Sequence, residues 1–266
     1  MSDSGGLPGG DRMPPDIRID IPHAARMYDY WLGGKDNFAA DRQTAEYALQ
    51  FVPQLLDYAR GNRQFLVRAT RFLCEAGIRQ FLDIGSGLPT SPNVHEIAQE
   101  ADPGSRVVYV DDDPMVYSHA VALLAKPAGV AAVRADMRDA VEVLQQAGKL
   151  IDFGAPVAVM FVACLHHLED HDDPAGVVAR YLDAAVPGSY LVLSHCTHER
   201  PQKIAADARD KGVTFIPRGE DAIARMFNGR ELVDPGLVLV SYWRPDDGEP
   251  GPNADRVMAY GGIAAL

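Results

Sequence analysis

Five short apolar runs recur between residues 79 and 196, each closing on a glycine, an acid or a cysteine. They read "RQFLDIG" (79–85), "RVVYVD" (106–111), "GVAAVRAD" (129–136), "PVAVMFVAC" (156–164) and "SYLVLSHC" (189–196). Each is rich in Val, Leu or aromatics and too short for a typical helix. Continuous apolar strands are what a sheet covered on both faces requires. Helix-like stretches at 92–101, 114–125, 139–147 and 174–185 separate them, and strand alternating with helix implies a parallel, doubly wound sheet. The end of the chain breaks the pattern. "ELVDPGLVLVSYWRPD" and "RVMAYGGIAAL" are strand-like, with a Pro/Gly/Asp-rich connection too short for a crossover helix, so they must pair antiparallel. The expected fold is α/β and Rossmann-like: a mostly parallel seven-stranded sheet with a C-terminal antiparallel hairpin.

Residues 21–76 read as helical throughout. Phe65, Leu66, Ala69, Phe72 and Leu73 make one apolar stripe, and Gly77 is a plausible stop. The expected organisation is therefore a flexible tail (1–20), an N-terminal helical lid (21–76) and one α/β domain (77–266). The start, "MSDSGGLPGGDRMPPD", has neither the basic nor the apolar segment of a secretory signal. No apolar run approaches the roughly 20 residues needed to span a bilayer. Three cysteines are too few for a disulfide framework, which makes a reducing cytoplasm the expected home. A net charge of −12 opposes binding to phosphate backbones, so no nucleic-acid partner is expected.

In doubly wound sheets ligands sit beyond the carboxyl ends of the strands, where strand order reverses. The first strand ends at Asp83-Ile84-Gly85, and Gly85 and Gly87 let the backbone turn and approach a ligand closely. Pro89 stands where dinucleotide fingerprints have a third glycine and cannot replace it. Ser91-Pro92 reads as an N-cap followed by a first-turn proline, which sets the next helix back from the loop. A wide loop of this kind favours a nucleoside ligand without a pyrophosphate, namely S-adenosylmethionine, over a nicotinamide or flavin dinucleotide. Asp111 ends the second strand, where it can accept from two ribose hydroxyls. Asp112 follows it, and Asp113 before Pro114 reads as a helix cap. Asp136 ends the third strand and can accept from an adenine amino group, with Met137 covering the ring.

Several stretches resemble one family closely: "RMYDYWLGGKDNFAADR", "FLDIGSGLPTSPNVHE", "VVYVDDDP", "DDPAGVVARYLDAAVPGSYLVLSH" and "LVDPGLVLVSYWRP". The chain is similar, over nearly everything after residue 20, to actinobacterial S-adenosylmethionine-dependent methyltransferases long classed as a domain of unknown function. The resemblance implies the class I methyltransferase fold, S-adenosylmethionine as cofactor and S-adenosylhomocysteine as product. It assigns Asp83, Gly85 and Gly87 to the methionine side, Asp111 to the ribose, and Asp136 and Met137 to the adenine. Ser86, Leu88, Pro89, Asp112 and Ala163 complete the expected cofactor contacts around the strand ends.

Methyl transfer depends largely on positioning, and a base is required only when the acceptor loses a proton. His166 and His167, after the fourth strand, are the candidate bases. Asp173-Pro174 reads as a helix cap. Cys164, His166, His195 and Cys196 have zinc-compatible side chains but no ligand spacing, so no metal is expected. Around Gly33-Gly34 and Lys35 cluster Tyr28, Tyr30, Trp31 and Phe38; this segment is expected to fold over the sheet edge, with Tyr30 and Gly33 touching the cofactor. Residues 197–227 are expected to wall the acceptor pocket. The leading function is methyl transfer to a small-molecule acceptor by a monomer or homodimer. A non-catalytic sensor of S-adenosylmethionine or S-adenosylhomocysteine is the alternative, and an NAD-dependent enzyme a third reading.

Overall fold

The computed structural model describes residues 17–124, 128–198 and 201–266. Most of the expected tail (1–16), residue 125 of the expected helix 114–125, and residues 199–200 of the expected pocket wall lie outside the described residues.

Helices α1 (Ala24–Trp31), α2 (Ala39–Phe51) and α3 (Leu55–Glu75) precede the sheet. Then β1 (Gln80–Ile84), α4 (Val94–Ala101), β2 (Arg106–Asp111), α5 (Pro114–Leu124), β3 (Val130–Arg134), α6 (Ala140–Ala147), β4 (Ala158–Val162), α7 (Pro174–Leu182) and β5 (Tyr190–Cys196) alternate. Two further helices, α8 (Pro201–Asp210) and α9 (Glu220–Arg225), lead to β6 (Val238–Leu239) and β7 (Ala259–Ala265). The sheet has seven strands in the order β3-β2-β1-β4-β5-β7-β6. Strands β1 to β5 are parallel, while β7 runs antiparallel to both β5 and β6. Strand order reverses between β1 and β4, so the crevice above these two strands is the expected ligand position.

The apolar strands are explained by cover on both faces. Residues along β1 alternate: Phe81 packs with Phe65, Ala69 and Leu73 of α3, whereas Leu82 and Ile84 pack with Val143 of α6 and Val178 and Tyr181 of α7. Every residue of β1 and β4 is buried. The stripe read on α3 thus lies on the sheet itself, while α1, α2 and the first turns of α3 line the cavity at the strands' carboxyl edge.

Three local expectations are corrected. The helical reading of 21–76 is interrupted at 32–38 and 52–54. At the first break, Asp29 accepts from Asp36 N (2.9 Å) and Asn37 Nδ2 (2.8 Å), and a Cβ on Gly34 would lie 1.9 Å from its Oδ1. The chain can wrap a buried carboxylate there only with glycine. Helix α4 starts after Asn93 rather than Ser91, because the Glu96 carboxylate takes both the Asn93 N–H (2.5 Å) and the Ser91 hydroxyl (3.0 Å). Finally, the run 231–246 contributes only the two-residue β6 and one bridge, Leu232 to Ala264. Pro235 has no N–H to donate, and Gly236 at φ +88° turns the chain out of the ladder.

The cap formed by α1 and α2 is held by a buried ion pair, Arg26 Nε to Asp41 Oδ1 at 3.1 Å. Asp41 also accepts from the backbone N–H of His23 and Phe38 (both 2.8 Å). The cap reaches the sheet through His23 Nδ1, 3.3 Å from Asp113 Oδ2, and through Ile17, Ala25 and Phe38 packed on Leu88, Met115 and Val116. Among the described residues no helix is long and apolar enough to cross a membrane.

Candidate active site

The loop after β1 is shaped by its two glycines. Both take φ +67°. A Cβ on Gly85 would meet the Cys164 Cβ at 2.4 Å, so the loop packs against the end of β4 only because the side chain is absent. A Cβ on Gly87 would meet nothing within 4 Å and would project into open space. Gly85 N and Ser86 N both donate to Val110 O (2.8 and 3.1 Å), which ties the turn to β2.

Asp111 lies at the β2 terminus. Its Oδ2 accepts from Gly87 N at 2.9 Å and its Oδ1 from Asp113 N at 3.1 Å, so it orders the glycine loop as well as facing the crevice. Burial pushes its carboxyl up to about 7, against those two N–H bonds. Asp83 is buried too; burial pushes it up to about 7, and the Arg63 guanidinium pulls the other way. Asp112 is exposed at the rim. Asp113 caps α5, accepting from Met115 N (2.7 Å) and Val116 N (3.0 Å). Asp136 faces Arg138, whose Nε donates to both carboxylate oxygens (3.0 and 2.9 Å) and holds it below the usual carboxylate range. Met137 places its Cε 3.4 Å from the Cβ position of Gly85, and its carbonyl accepts from Tyr181 at 2.8 Å. Ala163, left-handed at φ +58°, donates to Ser194 Oγ at 3.0 Å.

These residues open on one cavity of ≈ 560 Å³. Its lining includes Asp83, Gly85, Ser86, Gly87, Leu88, Asp111, Asp112, Asp136, Met137, Ala163, His166 and His167. The cap and α3 contribute Trp31, Tyr47, Phe51, Tyr58, Asn62 and Arg63, and the segment 204–217 closes the opposite side with Lys211, Thr214 and Phe215 among others. Three sequence-predicted residues lie elsewhere. Pro89 lines a small recess behind the loop with His95 and Tyr109. Tyr30 points outward and donates to Glu46 Oε1 at 2.9 Å on the surface. Gly33, at φ +85°, belongs to the turn around Asp29 and does not line the cavity. Its neighbours Tyr28 and Trp31 do.

The two candidate bases differ. His167 Nδ1 is 2.7 Å from Thr214 O. A carbonyl only accepts, so the ring proton sits on Nδ1 and Nε2 keeps its lone pair. Burial pushes His167 down to about 4, opposed by the Thr214 bond. His166 is 2% exposed; among the described residues its Nδ1 has no partner and its Nε2 has only the Tyr58 hydroxyl, at 3.5 Å. Burial holds its pKa well below the ordinary histidine value. Both residues lie in the short helical turn Leu165–His167, clamped by buried Arg218: Nη1 to Leu165 O (3.3 Å), Nη2 to Leu168 O (2.9 Å) and Nη1 to His195 Nε2 (3.1 Å). His195 Nδ1 donates to Cys196 O at 2.7 Å, so both its nitrogens are engaged and neither is a free metal ligand. Among the described residues no group of His, Cys, Asp and Glu is placed to hold a metal ion.

Sequence reasoning missed Arg63, Arg218 and the Asn62–Ser194 link, in which Ser194 Oγ donates to Asn62 Oδ1 at 2.5 Å. Arg63 and Asn62 lie in α3, Arg218 in a loop and Ser194 in β5, with no spacing to set them apart from other polar residues.

The cavity suits an adenosyl thioether. Its glycine turn leaves open space where side chains would intrude, Asp111 stands at the β2 end, and Met137 flanks the turn. A sheet of this order, closed by an antiparallel strand and carrying its cavity at the β1/β4 switch, defines the class I S-adenosylmethionine-dependent methyltransferase fold. The family model described as S-adenosyl methyltransferase matches residues 11–266, and the chain belongs to that family. It is therefore an S-adenosylmethionine-dependent methyltransferase. A DUF574 family protein from Streptomyces avermitilis is similar over 93% of this chain and 99% of its own, at 41% identity and TM-score 0.88. A protein from Thermobifida fusca, provisionally described as a methyltransferase, is similar over 96% of this chain and 99% of its own, at 43% identity and TM-score 0.88. An O-methyltransferase family protein from Burkholderia thailandensis shares the fold alone, at 15% identity and TM-score 0.50 over 79% of this chain and 59% of its own. A search of curated proteins gave no match.

Proposed function

We propose that this enzyme methylates a small molecule whose reacting O–H or N–H loses its proton to His167. The observation that carries the reading is a single cavity holding both the glycine loop and His167, with the free Nε2 on a ring whose other nitrogen is tied to Thr214. Its ≈ 560 Å³ lies within the roughly 300–1,000 Å³ typical of small-molecule pockets.

S-adenosylmethionine, when bound, supplies an electrophilic methyl group on a sulfonium. Asp111 would hold the ribose and Met137 would flank the adenine; Asp83 and the Gly85–Leu88 turn would receive the methionine end. Asp136 is held by Arg138, and that carboxylate turns to an adenine amino group only by sharing its partner. His167 receives the acceptor's proton at Nε2 as the new bond to carbon forms. Aromatic side chains from the cap, Trp31 and Phe51, and from the opposite wall, Phe215, line the cavity in which the reacting atoms would meet. In this reading α1 and α2 are the cap and α3 belongs with the sheet.

The test is turnover with a panel of phenolic, carboxylic and amine acceptors, scored by S-adenosylhomocysteine release and by mass of the methylated product. Methylation of small O–H or N–H compounds that falls in His167→Asn is expected. Activity confined to protein or nucleic acid, or undiminished in that variant, would refute the proposal.

A further inference from the structure

Beyond the glycine loop the cavity is walled by apolar and aromatic side chains, among them Trp31, Phe51, Val52, Leu55, Val213 and Phe215. Lys211 enters this half from the side opposite the cap. Helix α8 ends at Asp210, and Gly212 at φ +78° turns the chain so that Val213 is buried and Lys211 stands on the cavity's edge. The backbone is fixed there, because Lys211 N and Val213 N both donate to Ala208 O (3.0 Å each). The ammonium reaches the cap and lies 4.3 Å from the centre of the Tyr47 ring on α2.

Its three protons have no acceptor among the described residues. The acids that line the cavity from the chain after β4 are already paired: Asp207 with Lys203 (2.7 Å), Glu169 with Arg209 (3.0 Å) and Asp172 with Arg138 (3.1 Å). Asp207 lies four residues before Lys211, the spacing of a helical ion pair, yet its carboxylate turns to Lys203 instead. A helix C-terminus favours a lysine for its charge, but does not send the ammonium across to a ring of the cap. A cation resting on one partly exposed ring is weakly held, so Lys211 can turn to a ligand anion. The same segment also sets the base. Thr214 O takes the Nδ1 proton of His167 (2.7 Å), and Ile216 N donates to His166 O (2.7 Å). Lys211 and Thr214 are three residues apart, at most about 11 Å of extended backbone, so cation and base are held within the span of a substituted aromatic ring.

We propose that the acceptor is an aromatic hydroxy acid. Its O–H faces His167 Nε2, its ring lies among Trp31, Phe51 and Phe215, and its carboxylate takes the ammonium of Lys211. The proposal rests on reading the cavity as a small-molecule methylation site, and makes Lys211 the residue that selects among phenols by charge. The step forms the oxygen–methyl bond, breaks the sulfonium's carbon–sulfur bond with the electron pair left on sulfur, and moves the O–H proton to His167 Nε2. The carboxylate is unchanged.

The test uses the full chain, saturating S-adenosylmethionine, and hydroxybenzoic, hydroxycinnamic and hydroxynaphthoic acids. The methyl ester of each is the neutral control, and tyramine is a phenol of opposite charge. Release of S-adenosylhomocysteine and product mass give kcat/KM. Wild type should favour at least one acid over its own ester by about tenfold or more, as a charge-assisted hydrogen bond implies, with tyramine poorest. Lys211→Met should bring that acid-to-ester ratio close to one, chiefly through KM, and Lys211→Arg should keep most of it. Lys211→Glu should invert the ratio and raise tyramine. A merely structural lysine would lower acid and ester together and leave the ratio as it was. Equal use of acid and ester by wild type, a preference for tyramine, or a ratio that survives Lys211→Met would overturn the assignment. Should Lys211→Met fail to fold, salt decides in the wild type: the preference for the acid should shrink as sodium chloride rises, and a preference indifferent to salt refutes the pairing. Amines methylated while every phenol is refused would overturn this assignment alone; refusal of every small acceptor would remove the proposed function as well.

Discussion

The imidazole of His167 is locked by the carbonyl of Thr214, 2.7 Å from its Nδ1, so a residue from the segment after α8 dictates which nitrogen of a residue after β4 is basic. Burial then keeps the ring neutral down to about pH 4. A general base contributes roughly 100- to 10,000-fold. Turnover by His167→Asn should fall by about that range, with S-adenosylhomocysteine affinity little changed. Because the folded ring already lacks its proton well above about 4, the pH profile of kcat at saturating S-adenosylmethionine should show no inflection near the free-histidine value of about 6.5. Steady-state rates across pH, beside calorimetry on the variant, check both statements.

Asp83 and Asp111, each pushed by burial to about 7, make donor binding depend on pH. Both groups are raised above the ordinary aspartate value. In the unliganded protein their contribution to stability is therefore present at low pH and lost as pH rises through about 7. In the donor-binding mode proposed above, the methionine end at Asp83 and ribose hydroxyls at Asp111 would favour the ionised forms, so binding would expel protons. Affinity for S-adenosylhomocysteine should strengthen as pH rises toward about 7, by up to about tenfold per unit for each proton released, and level off above about pH 7. Calorimetry in buffers of different ionisation enthalpy counts those protons, and Asp83→Asn should lower the count by its share.

The two loop glycines separate stability from binding. Gly85→Ala meets both the left-handed backbone and the Cys164 Cβ at 2.4 Å. That carbon is fixed to the backbone and cannot swing aside, so a cost of about 2–5 kcal/mol is expected in urea unfolding. Gly87→Ala bears only the backbone strain, about 1–2 kcal/mol, but puts its methyl into the open cavity. Its larger effect should be on S-adenosylhomocysteine affinity.

What could be read in advance divides along a physical line. Local pattern sufficed for β1 to β5, because a strand buried on both faces, such as Ala158–Val162, is apolar at every position whatever its neighbours are. Asp173 and Asp113 could be read as caps because each bonds within three residues of itself. Long-range partners were invisible. Tyr30 and Tyr28 are two residues apart in one aromatic cluster, yet one faces Glu46 at the surface and the other donates to Ala59 O across the cap. The Gly33-Gly34 break, expected to bring Gly33 to the cofactor, wraps the buried Asp29 carboxylate. Arg63 and Arg218 gain their roles from carbonyls on distant loops, and no spacing along the chain encodes those meetings.

Arg218 offers the sharpest separation of positioning from chemistry. It is not itself in the cavity lining, yet it binds the carbonyls of Leu165 and of cavity-lining Leu168 that bracket the histidine turn, the Asp170 carboxylate (2.7 Å) and His195 Nε2. Removing the guanidinium leaves the Leu168 carbonyl and an imidazole nitrogen without that donor and Leu165 O with only the Leu168 N–H (3.2 Å), so Arg218→Met should destabilise the fold by about 2–4 kcal/mol. Arg218→Lys keeps the charge but cannot span these acceptors as the planar fork does. Its fold should survive while the Leu165–His167 turn loosens. Nitrogen NMR of the lysine variant should then show His167 losing its single Nδ1–H tautomer, with turnover falling about tenfold or more and S-adenosylhomocysteine affinity held within a few fold. A lysine variant with wild-type histidine signals and wild-type turnover would mean that the turn holds its shape without the clamp, and that Arg218 contributes to stability alone.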